Sequence, residues 1–151
     1  MITLLASAAR AVSGSQALWP ASGNPPSPIR WEKLESGVFV LDVSAAAAAV
    51  GDTLDVYLQS AANPEAGAAS AFWDDFVHFT QALGNGGAKR FLAYWIRDYI
   101  PTTGVKAPQD AALAAGVQQG PYGEGGRVKW VIAGASPSFT FSLGLSGLKY
   151  R

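Results

Sequence analysis

Arg127-Val-Lys-Trp-Val-Ile-Ala-Gly-Ala-Ser-Pro-Ser-Phe-Thr-Phe-Ser-Leu-Gly-Leu145 alternates apolar side chains with polar or small ones on both sides of a Gly-Ala-Ser-Pro break. Successive residues of a strand point to opposite faces, so this alternation puts one set of side chains in a core and the other on a surface. The stretch predicts two strands, over 127–133 and 138–147, joined as a compact hairpin by Gly134-Ala-Ser-Pro137.

The same period recurs upstream. In Asp52-Thr-Leu-Asp-Val-Tyr-Leu-Gln-Ser60, Leu54, Val56 and Leu58 face inward while Asp55, Tyr57 and Gln59 face out. Val38-Phe-Val-Leu-Asp-Val43 places Phe39, Leu41 and Val43 on one face. The Ala45–Ala49 run after it favours helix by propensity but is too short to stand alone, which predicts a loop with one helical turn. Met1-Ile-Thr-Leu-Leu-Ala-Ser-Ala-Ala-Arg10 opens on an apolar run with no basic residue ahead of it, so it is expected to be a first strand and not a secretory signal.

Two central segments are richer in aromatics. Phe72-Trp-Asp-Asp-Phe-Val-His-Phe-Thr-Gln81 sets Val77 and Phe79 on one face and Phe76 and His78 on the other, and a bulge near Asp74 would cover both Trp73 and Phe76. After the turn Leu83-Gly-Asn-Gly-Gly87 comes Arg90-Phe-Leu-Ala-Tyr-Trp-Ile-Arg97, apolar on both faces. That pattern predicts a central strand covered twice, or one with a face turned to a partner.

Residues 13–36 and 98–126 lack a sustained period and are rich in Pro and Gly, which predicts two long loops or arms. The expected fold is all-β, an antiparallel two-sheet sandwich of jelly-roll type, in one domain spanning 1–151 with those two insertions. Seven Phe, five Trp and five Tyr, each able to bury about 150–250 Å², make a core that needs no cross-link, and the chain has no Cys to form one.

Composition excludes several functions. Eleven basic residues balance eleven acidic ones, and no Lys/Arg run exists to neutralise a phosphate backbone, so nucleic acid is not an expected partner. No apolar run approaches the roughly 18 residues that span a bilayer, so no membrane association is expected. Charged residues are 15% of the chain against about 25% in typical domains, which points to surface lying against other protein.

Chemistry is sparse. His78 is the only histidine, and its place in a strand beside Phe76 and Phe79 makes it a structural residue. Asp74 and Asp75, with Asp52 or Asp55, are weighed as a calcium site, because hard cations take several oxygens; adjacent strand residues diverge, so a turn or bulge role is preferred. The glycine-rich runs at 84–87 and 120–126 do not match a phosphate loop, no Gly-x-Ser-x-Gly elbow occurs, and no carboxylate spacing selects a glycosidase pair. The expectation is a protein that is not an enzyme and has no cofactor and no metal. Leu18, Trp19, Ile29, Trp31, Tyr94, Ile96 and Tyr122 are the candidate partner-binding residues, since Trp and Tyr are enriched where proteins meet. Exposed aromatics also suit a sugar-stacking platform.

The blocks Thr3-Leu-Leu-Ala-Ser-Ala-Ala-Arg10, Thr53-Leu-Asp-Val-Tyr-Leu-Gln59, Trp73-Asp-Asp-Phe-Val-His-Phe-Thr-Gln81 and 127–145 resemble small virion proteins encoded among the head and tail genes of tailed bacteriophages. The resemblance implies a non-enzymatic β-sandwich on the particle: a capsid decoration (cement) protein bound to the major capsid protein and to copies of itself in a homo-oligomer such as a trimer. A tail or neck accessory protein, and a host-glycan-binding module displayed on the virion, are the alternatives. The chain departs from the shorter family pattern at 13–36 and 98–126, where partner contacts are expected.

Overall fold

The computed structural model describes residues 1–19, 34–46, 49–61, 73–96, 114–116 and 125–150. Among these described residues nine strands run in chain order: β1 (Ile2–Arg10), β2 (Gly14–Trp19), β3 (Leu34–Ala46), β4 (Thr53–Ala61), β5 (Asp74–His78), β6 (Ala82–Leu83), β7 (Lys89–Ile96), β8 (Gly125–Ala133) and β9 (Phe139–Tyr150). They form two antiparallel sheets. Sheet A has the order β1-β9-β3-β7, and sheet B the order β2-β8-β4-β5, with β6 continuing the β5 edge beside β4.

This is a β-sandwich wound as a jelly roll. Only β4, β5 and β6 follow one another within a sheet; every other connection passes from one sheet to the other. The expected hairpin between 127–133 and 138–147 is therefore corrected. β8 pairs with β2 and β4, β9 pairs with β1 and β3, and Gly134-Ala-Ser-Pro137 is an arch between sheets. Both edges of β9 are already taken, so β8 has no place beside it.

The core is what the alternation demands. Phe139, Phe141, Leu143 and Leu145 of β9 are fully buried and meet Phe39, Leu41 and Val43 of β3 in register. Leu54, Val56 and Leu58 of β4 face them from sheet B with Val128 of β8. A bulge in β5 sets Phe76 and Val77 together opposite Leu58, and both enter the core. Phe76 thus does not share the face of His78, as simple alternation predicts; its ring lies 6.2 Å from Phe39.

Four further expectations are revised. Gly14–Trp19, within the expected arm 13–36, is strand β2 paired with β8, and Leu34–Ser36 begin β3. Ala45 and Ala46 continue β3 opposite Thr140 and Phe139, because strand pairing outweighs the helix propensity of alanine. Among the described residues β7 is an edge strand of sheet A, not a central one, and Gly125 and Gly126, within the expected arm 98–126, begin β8.

The corner from β1 to β2 is held by side chains. Trp130 Nε1 donates to Val12 O at 3.0 Å, and Ser13 Oγ accepts from Ile132 N at 2.9 Å. The Arg10 guanidinium donates to the carbonyls of Ala6, Ala8 and Phe141 while lying over the Phe141 ring at 4.4 Å. It thereby satisfies carbonyls along the part of β1 where two register shifts interrupt the ladder. Burial lowers the pKa of this guanidinium from its usual value.

Candidate functional site

Each sheet has an outer face, and the two differ in kind. On sheet B, β4 contributes Asp55, Tyr57 and Gln59, β5 contributes Asp75 and His78, and β8 contributes Arg127 and Lys129, all brought together by register. Tyr57 and Gln59 are expected to be exposed, yet they retain only 8% and 4% of their surface.

One chain of contacts runs Arg127–Gln59–Asp75. Arg127 Nε donates to Gln59 Oε1, and Gln59 Nε2 donates to Asp75 Oδ1, both at 2.6 Å. The Arg127 guanidinium also lies over the Trp73 ring at 4.4 Å. Burial lowers its pKa, and the Asp75 carboxylate opposes that shift. A second chain runs Gln81–Asp55–His78–Tyr57. Gln81 Nε2 donates to Asp55 Oδ2 at 2.8 Å, Asp55 Oδ1 is 2.9 Å from His78 Nε2, and the His78 and Tyr57 rings stack at 4.0 Å.

An Asp–His pair can serve acid–base chemistry, but here each Asp55 oxygen is committed and the imidazole is 6% exposed between β4 and β5. Its evident work is to clamp β5 to β4 beside the bulge. Asp52, weighed above as a cation ligand, instead accepts backbone N–H bonds from Ala49 and Ala135. Among the described residues no group of three or more His, Cys, Asp and Glu is placed to hold a metal ion.

Tyr57 makes this face pH-sensitive at the alkaline end. Burial raises its pKa, and the nearby Asp55 and Asp75 carboxylates raise it further. The native state then keeps the phenolic proton where the unfolded chain has lost it. The corresponding stability is fully present below the ordinary tyrosine value of about 10 and is lost as pH rises toward the raised native value. Urea midpoints measured at neutral pH and above pH 10 are expected to fall less in Tyr57→Phe than in the parent chain; an equal fall in both would show that Tyr57 does not contribute.

The outer face of sheet A is apolar and small at its centre. Thr3, Gly144, Val40 and Leu92 form one row across β1, β9, β3 and β7; Ser146, Val38 and Tyr94 form the row beside it. Leu92 is 54% and Tyr94 61% exposed, large values for such side chains. A Cβ at Gly144 would meet Met1 Sδ at 2.8 Å, so Met1 lies over this face close to the backbone. Asp42 and Arg90 close one side as a bidentate pair at 2.6 and 3.1 Å, which raises the pKa of Arg90. Leu92 and Tyr94 are thus exposed apolar side chains on this face, with the Asp42–Arg90 pair at its side.

The structure separates the candidate partner-binding residues. Leu18 is a correction: it enters the core at the β2 bulge, 8% exposed, and cannot anchor a neighbour. Trp19 ends β2 opposite Gly126, at the edge of sheet B remote from β7. Tyr94 and Ile96 lie two apart on β7, opposite Val38 and Ser36. Ile29, Trp31 and Tyr122 lie outside the described residues. Leu92, Val38 and Val40 were not singled out by sequence; the signal available was the two-faced hydrophobicity of 90–97, which marked the strand without saying which of its faces is open.

Compared with protein-family models, with curated proteins and with solved structures, the chain matches none. Among the described residues no helix is long and apolar enough to cross a membrane.

Proposed function

We propose that this chain is a structural protein of a tailed-phage virion, a decoration protein that sits on the capsid surface, binds the major capsid protein and stabilises the head. The observation that carries this reading is the outer face of sheet A, where Leu92 and Tyr94 stand exposed beside a partly buried Val38. The sequence blocks described above support it. Jelly rolls recur in viral capsid domains, but the same winding serves lectins and cupins, so the fold adds only an analogy.

The mechanism is adhesion. Docking the face of sheet A across a subunit joint means that local opening of the shell must also break these contacts, and many copies make individually weak contacts sufficient. Phage heads lacking the protein are expected to release their DNA at lower temperature, and adding back the purified chain is expected to restore resistance. Ser146→Arg, which puts a charge in the middle of this face, is expected to abolish rebinding while leaving the fold intact. Heads equally heat-resistant with and without the protein remove the reading. Copies confined to the tail axis would assign the chain to the tail or neck instead.

A further inference from the structure

Among the described residues four strands end the two sheets: β1 and β7 in sheet A, β2 and β5 in sheet B, where β6 continues the β5 edge. Three of them are blunted. β1 carries two register shifts, β2 carries one, and β5 is a bulged five-residue strand that gives way to the two residues of β6. Bulges and short lengths are the usual means by which sheet edges avoid pairing with other chains. β7 has neither. Its eight residues run against β3 from Ser36↔Ile96 to Val43↔Lys89 without a register shift or a proline, and among the described residues β3 is its sole strand partner. A groove of about 290 Å³ lies along Phe91–Ala93, between this edge and Val77–Thr80 of sheet B.

We propose that β7 pairs antiparallel with β7 of a second copy about a two-fold axis at Leu92, joining the two four-stranded A sheets edge to edge. Self-complementarity of the strand selects a second copy as the occupant. Centring the pairing on Leu92 sets Leu92 against Leu92 on the outer face, Arg90 against Tyr94 beside it, and Phe91 against Ala93, large against small, on the core side. An apolar pair and a cation–aromatic pair are favourable cross-strand neighbours. The strand's two cations, Lys89 and Arg90, stand at one end, so antiparallel pairing keeps them apart at opposite ends of the interface, whereas parallel pairing stacks like charges. Each residue contacts its symmetry mate's counterpart, as a closed dimer requires. This pairing is independent of the particle reading: it uses the backbone edge of sheet A and needs no capsid.

The chain has no Cys, so a single introduced one reports the geometry directly. Residues directly opposite in antiparallel pairs have Cα atoms about 4.5–5.5 Å apart, within disulfide reach. The 151-residue chain is expected to sediment as a dimer. Leu92→Cys is expected to form a disulfide-linked dimer under mild oxidation roughly a hundredfold faster than Thr3→Cys at ~10 µM, because a paired site has an effective concentration of order mM. Arg90→Cys and Tyr94→Cys are expected to cross-link slowly alone and rapidly when mixed, a pattern that carries the test should Leu92→Cys fold poorly. A monomer at every concentration, or an oligomer in which neither the Leu92 pair nor the mixed pair outruns Thr3→Cys, overturns the proposal and leaves the heat-resistance experiment on phage heads unaffected.

Discussion

Gly134→Ala is expected to destabilise the protein by about 2–6 kcal/mol, the sum of two effects, enough to lower Tm by roughly 4 °C or more in a domain of this size. Gly134 lies in the arch from β8 to β9 with φ at 134°, a conformation that side chains rarely adopt. Leaving that conformation unrelieved costs about 1–3 kcal/mol. The added Cβ also falls inside the van der Waals shell of Asp52 Oδ1 and within 2.8 Å of Asp52 Cα, and overpacking of this kind costs about 1–3 kcal/mol more.

The clash matters because Asp52 cannot move cheaply. It is 2% exposed, its Oδ2 accepts from Ala49 N at 2.8 Å and its Oδ1 from Ala135 N at 2.9 Å. Its own carbonyl accepts from Gly84 N at 2.8 Å. One residue therefore ties the β3–β4 arch, the turn after β6 and the β8–β9 arch together at one end of the sandwich. Urea unfolding checks the value. In an Asp52→Ala background the same glycine substitution is expected to cost less, because the clash with the carboxylate is gone while the backbone conformation and the close approach to the Cα at position 52 remain; equal costs in both backgrounds would show that the Asp52 carboxylate is not coupled to Gly134.

Phe141→Ala is expected to cost about 3–5 kcal/mol, the usual range for emptying a buried phenylalanine site. Phe141 is fully buried near the start of β9, between Ala8 of β1 and Val43 of β3. Its ring meets the Trp130 indole edge-on at 6.0 Å and carries the Arg10 guanidinium on its face at 4.4 Å. Removing it leaves a cavity and strips one side from a partly desolvated cation. Since a domain's whole stability is about 5–15 kcal/mol, this single change takes a large share of it. Phe141→Leu is expected to cost less than half as much, and Leu92→Ala on the exposed edge only about 0.5 kcal/mol. Chemical denaturation of the three variants orders them; a Phe141→Ala loss no larger than that of Leu92→Ala would mean that the two sheets do not meet at this ring.

Legibility varied with the range of the interaction. Leu54, Val56 and Leu58 in β4 and Phe139 to Leu145 in β9 declare their inward faces through a period of two, which depends only on neighbours along the chain. The bulge in β5 was foreshadowed by aromatics that strict alternation leaves uncovered, although it falls at Phe76 and brings that ring inward. β2 was hidden because Gly-Ser-Gln-Ala-Leu-Trp has little alternation of its own and is a strand chiefly through pairing with β8. The outer cluster on sheet B was hidden for a related reason. Asp55, Tyr57, Gln59, Asp75, His78 and Arg127 come from three strands, and each is polar enough to pass for a solvated residue until register places its partners beside it.

What the amino-acid order determined unaided was an all-β chain with its core residues named, because burial follows from side-chain polarity and the pleat together. Tertiary structure alone decided which strands are neighbours. Gly134-Ala-Ser-Pro137 permits the chain to reverse either within a sheet or between sheets, and the choice fell to β1 and β3, which already occupy both sides of β9. The same competition for hydrogen-bonding edges left β7 at the margin of sheet A with Leu92 and Tyr94 exposed. That outcome depends on pairings between residues far apart in the chain, which no local pattern encodes.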